Sequence, residues 1–200
     1  MKVLLGVTGG IAAYKACELV RRLRDGGHDV QVVMTEAAQR FVTPMTFEVL
    51  SGRPVGVSLW SGADPSIEHI RLARWPDVIA IAPATANTLA RLAHGLAEDL
   101  LSTVVLASRA EVPVVLAPAM NTAMWDNPLV RRNLETLASV DGGRRYLVVP
   151  PAEKQLACGE TGLGALADEP SILRAIETLR IVPAKSRAGG SGPRLPEGGA

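Results

Sequence analysis

The sequence predicts a single α/β domain, a doubly wound parallel sheet of the Rossmann-like, flavodoxin-like kind. Three observations predict it. Short apolar runs of strand length alternate with segments of helical period, which argues for a parallel sheet covered on both faces. The first two runs flank one helical segment, so a βαβ unit opens the chain. Ala, Val, Leu and Gly dominate a composition that is 48% hydrophobic and only 4% aromatic, as suits helices packed closely on a sheet. At 200 residues the chain is long enough to bury one substantial core.

Residues 2–7 read as the first strand. Residues 11–24 carry helical spacing, with apolar positions at Ala12, Ala16, Leu19, Val20 and Leu23. Cys17 lies in that helix and is expected to be a buried structural thiol. Asp25–Gly26–Gly27–His28 is a turn, with His28 in solvent, and residues 30–34 form the second strand. Residues 36–51 read as short helices broken at Pro44, and 52–66 as a loop rich in Gly, Ser and Pro. A strong strand at 78–82 precedes helices at 86–93 and 97–108. Residues 113–117 form another strand and 128–139 a helix, with Arg131 and Arg132 on its wet face. Residues 146–149 are the last strand, and 151–167 read as a Gly-containing loop without helical period. Residues 171–179 close the fold as a helix capped by Ser171 or Asp168. The folded unit is expected over 1–180, followed by a disordered Gly/Pro-rich tail over 181–200 that has almost nothing to bury.

A formal net charge of +1 suggests no broad attraction to nucleic acid or to a membrane surface. No apolar run approaches the length of a membrane span, and the chain enters Val3–Leu4–Leu5 without a signal-peptide n-region. Two cysteines, Cys17 and Cys158, make no disulfide framework, so a reducing cytoplasm is the expected compartment. No metal site is expected.

The first strand ends in Gly6–Val7–Thr8–Gly9–Gly10, where glycines let backbone approach a ligand and a helix start offers free N–H groups to an anion. The spacing is not the GxGxxG fingerprint, so NAD is not favoured. Thr35 ends the second strand, and Thr85–Ala86–Asn87–Thr88 follows the strand at 78–82. Three strand ends with small or hydroxyl residues converge on one crevice and suit a mononucleotide. Asn87 also suits helix capping. The segment Pro118–Ala119–Met120–Asn121–Thr122–Ala123–Met124–Trp125 offers apolar side chains to a flat ligand and one amide to a polar group on it. Its Met and Trp residues could equally fill core gaps. His69, in Ile67–Glu68–His69–Ile70–Arg71, and Cys158, in a Gly-rich loop beside Gly159, are the candidates for proton transfer.

The segment at 118–125 resembles the PxMNxxMW signature of the flavoprotein cysteine decarboxylases, the family of phosphopantothenoylcysteine decarboxylase and the peptidyl-cysteine decarboxylases of lanthipeptide pathways. The likeness extends through Gly6–Val7–Thr8–Gly9–Gly10–Ile11–Ala12–Ala13–Tyr14–Lys15, Val33–Met34–Thr35, Glu68–His69–Ile70, Pro83–Ala84–Thr85–Ala86–Asn87–Thr88 and Leu156–Ala157–Cys158–Gly159. It implies FMN as cofactor, with Gly9, Gly10 and Ile11 at the phosphate end. Thr35, Thr85, Ala86, Asn87, Thr88 and the backbone near Ala119 would contact the flavin. It implies a catalytic His69, a carboxylate-binding Asn121 with Met124 and Ala157 beside the substrate, and Cys158 as proton donor in a closing reduction. The implied reaction oxidises the cysteine-like substrate at Cβ, releases CO₂ to leave an ene-thiolate, and reduces that to a cysteamine thiol.

The expected substrate is 4′-phosphopantothenoylcysteine, giving 4′-phosphopantetheine for coenzyme A. The alternative is a precursor peptide with a C-terminal cysteine, where the reaction stops at the ene-thiol. Cys158 favours full reduction. The absence of a ligase domain, and Gly162–Leu163–Gly164–Ala165 where bacterial bifunctional enzymes carry an Arg, lean away from that group. A flavin prenyltransferase and a flavin-binding regulatory subunit are the remaining alternatives. The resemblance also implies a homo-oligomer, a trimer or dodecamer of trimers, with the flavin site between subunits.

Overall fold

The computed structural model describes residues 1–60, 65–155 and 161–179. Lys2–Val7 (β1) is followed by a 3-10 turn at Ile11–Tyr14 that runs into helix Lys15–Asp25 (α1) and then strand Asp29–Met34 (β2). The opening βαβ unit therefore forms, with its helix starting as a tighter turn. A second 3-10 turn, Glu36–Arg40, precedes Pro44–Ser51 (α2), whose break from the turn falls at Pro44 as expected for a residue without an N–H. Next come Pro65–Arg74 (α3), Val78–Ala84 (β3), Ala86–His94 (α4) and Leu100–Ala107 (α5). Gly95 at φ 67° stops α4, and a capping box between Asp99 and Ser102 starts α5. Val114–Pro118 (β4), Thr122–Trp125 (α6), Pro128–Ser139 (α7) and Tyr146–Val148 (β5) follow. The chain ends in Ala152–Gln155 (β6), Thr161–Ala165 (β7) and Glu169–Thr178 (α8). Asp168, not Ser171, caps α8, accepting from Ser171 N at 2.8 Å.

The five-stranded sheet has the order β2-β1-β3-β4-β5, and every pair is parallel. Alternation along the strands divides the core in two. Val3, Leu5, Val7, Val78, Ala80, Ala82, Val115 and Ala117 face the layer containing α1 and α8. Leu4, Ile79, Ile81, Val114 and Leu116 face the layer of α3, α4, α5 and α7. The strand order reverses between β1 and β3, and their carboxyl ends bound the crevice where such sheets take ligands.

Several expectations change. The stretch read as a loop over 151–167 holds the antiparallel hairpin β6–β7 instead. Its glycines interrupt the alternation that would have marked strands. The loop read over 52–66 is partly strand-like. Gly56 bridges Val33 in parallel, and Arg53 holds this segment to β2 through Asp29 (2.8 Å) and over the Trp75 ring (5.1 Å). His28 is 5% exposed rather than in solvent, with Nε2 3.9 Å from the Glu177 carboxylate of α8. Cys17 is half-buried, and burial raises its thiol pKa, so it stays protonated near neutrality. Arg131 is not simply wet: its guanidinium lies 4.4 Å from the Trp125 ring. Arg145 is 6% exposed and donates to Ser108 Oγ and to the carbonyls of Val105, Arg109, Ala110 and Val112, joining the end of α5 to the start of β5. Among the described residues no helix is long and apolar enough to cross a membrane. The proposed tail over 181–200 lies outside the described residues.

Candidate active site

The site begins with Thr8, 1% exposed at the end of β1. Its hydroxyl donates to Pro83 O at 2.6 Å and accepts from Thr85 N at 3.1 Å. This fastens the ends of β1 and β3 together across the switch point. The two glycines that follow serve different ends. A Cβ on Gly9 would collide with Ala37 of the second 3-10 turn, so that turn packs on bare backbone. A Cβ on Gly10 would meet nothing within 4 Å, so this residue fronts open space. Thr35 accepts from Ala38 N at 3.3 Å and caps the turn that Gly9 supports.

At the end of β3, Thr85 caps α4, accepting from Thr88 N at 3.3 Å with the two hydroxyls 3.0 Å apart. The capping role open to Asn87 therefore falls to Thr85, and Asn87 stays exposed at the crevice. At the end of β4, Asn121 caps α6: its Oδ1 accepts from Met124 N at 2.8 Å. That bond fixes the amide, and Nδ2 becomes its remaining group, two donors with no acceptor character. Trp125 is 5% exposed and anchors the short helix, whereas Met124 is 44% exposed. The core-filling and ligand-facing readings of this segment are thus divided between its Trp and its Met.

The hairpin β6–β7 closes the far wall. Met120 N donates to Gly164 O at 2.9 Å, and Gly164 stands at φ 154°, where a Cβ would strike Met120 O. A Cβ at Gly162 would strike Thr122 Oγ1 in the same way. Both glycines let the strand lie flat against residues 120–122.

These elements enclose a cavity of about 760 Å³. Of the expected site residues, Gly9, Gly10, Ile11, Thr85, Ala86, Asn87, Ala119, Asn121 and Met124 line it. Thr35, Thr88 and His69 do not: Thr35 caps the second 3-10 turn, Thr88 is buried with its hydroxyl against that of Thr85, and His69 lies half-buried on α3. The chain around His69 is helical, within α3. There Arg71 bonds Glu68 at 2.9 Å and holds its carboxyl below the usual carboxylate range. Ala157 and Cys158 lie outside the described residues, in the connection from β6 to β7. Tyr14, Lys15 and Leu166 also line the cavity and were not named as site residues, and Met120, from the segment expected to face a flat ligand, lines it too, with Gly164 and Ala165 of the hairpin. Helical phase could have found Lys15, four residues after Ile11 and so on the same face. Lys15 is the one charged residue in the lining among the described residues. Among them no cluster of His, Cys, Asp and Glu could hold a metal ion.

Known proteins resemble this chain closely. It is 46% identical over 177 residues to the probable phosphopantothenoylcysteine decarboxylase of Streptococcus mutans, covering 88% of this chain and 97% of that one. It is 49% identical over 168 residues to the coenzyme A biosynthesis bifunctional protein CoaBC of Vibrio cholerae; the match takes in 84% of this chain and spans 41% of that protein's length. A PPC decarboxylase cysteine-to-serine mutant complexed with pantothenoylaminoethenethiol superposes with a TM-score of 0.77 at 32% identity, over 90% of this chain and 97% of that one. The FMN-dependent cysteine decarboxylase SpaF does so with a TM-score of 0.68 at 32% identity, over 88% and 97%. A model of the flavoprotein family matches residues 1–180, and the chain belongs to that family.

Proposed function

We propose that this protein is an FMN-dependent cysteine decarboxylase acting on 4′-phosphopantothenoylcysteine, with 4′-phosphopantetheine as product. The observation that carries the reading is Asn121. Its oxygen is consumed by the helix cap, and its amide donors are left at an apolar cavity with no acidic lining residue among those described. Such a group selects a carboxylate by hydrogen bonding without titrating. The match, 46% identical over nearly the full length of a probable phosphopantothenoylcysteine decarboxylase, supports this substrate over a peptide.

The lining fits FMN. Its volume lies in the range of small-molecule sites. Ile11, Met120 and Met124 offer apolar surface to a flat ring, Asn87 offers an amide, and Gly10 leaves room where a side chain would intrude. When bound, FMN supplies the two-electron oxidation and reduction that make loss of CO₂ possible. The chain's own residues do the rest. Asn121 holds the carboxylate, Met124 and the hairpin wall exclude water from it, His69 moves a proton, and Cys158 donates one to the carbon that has lost CO₂, so that the neighbouring sulfur-bearing carbon can be reduced.

Because His69 lies outside the cavity of its own chain, the reading includes a homotrimer in which a neighbouring chain brings its His69 to the site. The purified protein is expected to be yellow, with one FMN per chain and the mass of a trimer or of a multiple of it. Colourless protein that takes up no added FMN contradicts the reading.

The two glycines give a sharper check. Gly10→Ala is expected to leave the unfolding midpoint in place and to weaken FMN about 10–100-fold, because its methyl enters the ligand's space. Gly9→Ala is expected to lower stability by roughly 1–3 kcal/mol, because its methyl strikes Ala37. Flavin fluorescence titration and urea melts separate the two effects. Equal loss of stability in both variants contradicts the assignment.

Cys158→Ser is expected to keep CO₂ release and to lose the final reduction, since a hydroxyl is a far weaker acid than a thiol. Mass spectrometry should then find a product two hydrogens lighter than the saturated thiol. A cysteine-to-serine mutant among the similar structures holds an aminoethenethiol, the kind of species this order leaves behind. Saturated product from the Ser variant removes Cys158 from the donor role. Ene-thiol released by the wild type transfers the assignment to the peptide-modifying reading.

A further inference from the structure

Lys15 is half-buried at the first position of α1, and its side chain carries a charge into a lining that is otherwise neutral among the described residues. A partly desolvated ammonium is costly unless an anion answers it. The acid best placed to do so is Glu18, one turn along the helix. Its carboxylate is already engaged by Arg21 at 2.8 Å and by Arg22 at 2.9 Å. Arg21 takes both carboxylate oxygens, at 2.9 and 2.8 Å, which leaves Glu18 poorly disposed to turn towards Lys15. Among the described residues no ion pair or hydrogen bond occupies the Lys15 ammonium. Gly10, where an added Cβ would meet nothing within 4 Å, lines the same cavity.

We infer that Lys15 is the counter-cation of a phosphate monoester bound in this cavity, an inference that rests on the function proposed above. Asn121, at the β4 end, is suited to the planar carboxylate. Lys15, at the β1 end, is a point charge suited to a dianion, which a lysine meets without the fixed fork an arginine imposes. One cavity thus offers two different anion receptors on two strand ends. Under the proposed function the phosphate has two sources, the 5′-phosphate of FMN or the phosphate on the substrate's pantothenoyl arm.

The test compares wild type, Lys15→Gln and Lys15→Arg with four probes: FMN, riboflavin, 4′-phosphopantothenoylcysteine and pantothenoylcysteine. Affinities of the two flavins come from fluorescence quenching, and KM values come from CO₂ release at saturating flavin. If the phosphate is the cofactor's, Lys15→Gln loses about 10–100-fold in FMN affinity and nothing in riboflavin affinity. If it is the substrate's, the flavin affinities stay level, and KM rises by a similar factor for the phosphorylated substrate alone. Lys15→Arg, which keeps the charge, restores part of either loss. The inference is overturned if Lys15→Gln leaves both phosphate preferences unchanged, or if it weakens phosphorylated and unphosphorylated probes equally. Wild type that binds neither flavin removes the proposed function itself, an outcome distinct from a wild type that binds FMN with no contribution from Lys15.

Discussion

Asn121→Asp is expected to reduce turnover by about 10³-fold while the protein still folds and still binds FMN. Aspartate caps helices as well as asparagine does, and the capping bond uses Oδ1, which both residues have. The cap on α6 therefore survives. What disappears is the pair of amide donors, and what replaces them is a negative charge facing the substrate's own carboxylate. Loss of a charge-assisted hydrogen bond and like-charge repulsion act in the same direction. The measurement is kcat/KM beside a thermal melt and an FMN titration. Loss of activity with an unchanged melt places Asn121 on the substrate. An unchanged kcat/KM removes it from that role, and a collapsed melt would show that the cap needs the amide after all.

His69→Asn is expected to reduce decarboxylation by roughly 10²–10⁴-fold with the flavin still bound, because an amide keeps hydrogen bonding but cannot exchange a proton near neutral pH. His69 is half-buried on α3 and is not among the lining residues of its own chain. This placement makes a second, more demanding test possible. If a neighbouring chain brings the histidine, each site combines His69 of one chain with Asn121 of another. Co-expressed His69→Asn and Asn121→Asp chains then regain about a quarter of wild-type activity for random mixing in a closed ring. Two residues acting within one chain give no such recovery. Wild-type turnover by His69→Asn alone returns the residue to a structural role on α3.

The parallel sheet and most of the cavity rim were legible because they rest on local signals. The β3 and β4 runs are continuous and apolar, β1 is so after Lys2 and β2 is interrupted only by Gln31 after Asp29, and Gly9–Gly10, Thr85–Thr88 and Asn121 stand at the ends of β1, β3 and β4. What escaped was set by contacts distant in sequence. The hairpin β6–β7 has glycines where alternating side chains would have revealed it, and those glycines are needed because residues 120–122 press against the strand. His28 was assigned to solvent from its turn, but α8 returns from the other end of the chain to bury it. Asn87 and Thr85 are both good caps, and only the point at which α4 starts decides between them. Lys15 was hidden by its type: a lysine on a helix is ordinarily a solvated charge, and only the closing of three strand ends around it makes it part of a cavity wall.

The most direct test of the whole account is to identify what the wild-type protein makes. Protein saturated with FMN is given 4′-phosphopantothenoylcysteine and, separately, a peptide ending in cysteine, and products are read by mass spectrometry. The account predicts that the phosphopantothenoyl substrate loses CO₂ and nothing else, giving the saturated thiol 4′-phosphopantetheine, at a kcat/KM well above that for the peptide. Flavin-loaded protein that leaves this substrate intact, or that decarboxylates only the peptide, would contradict it.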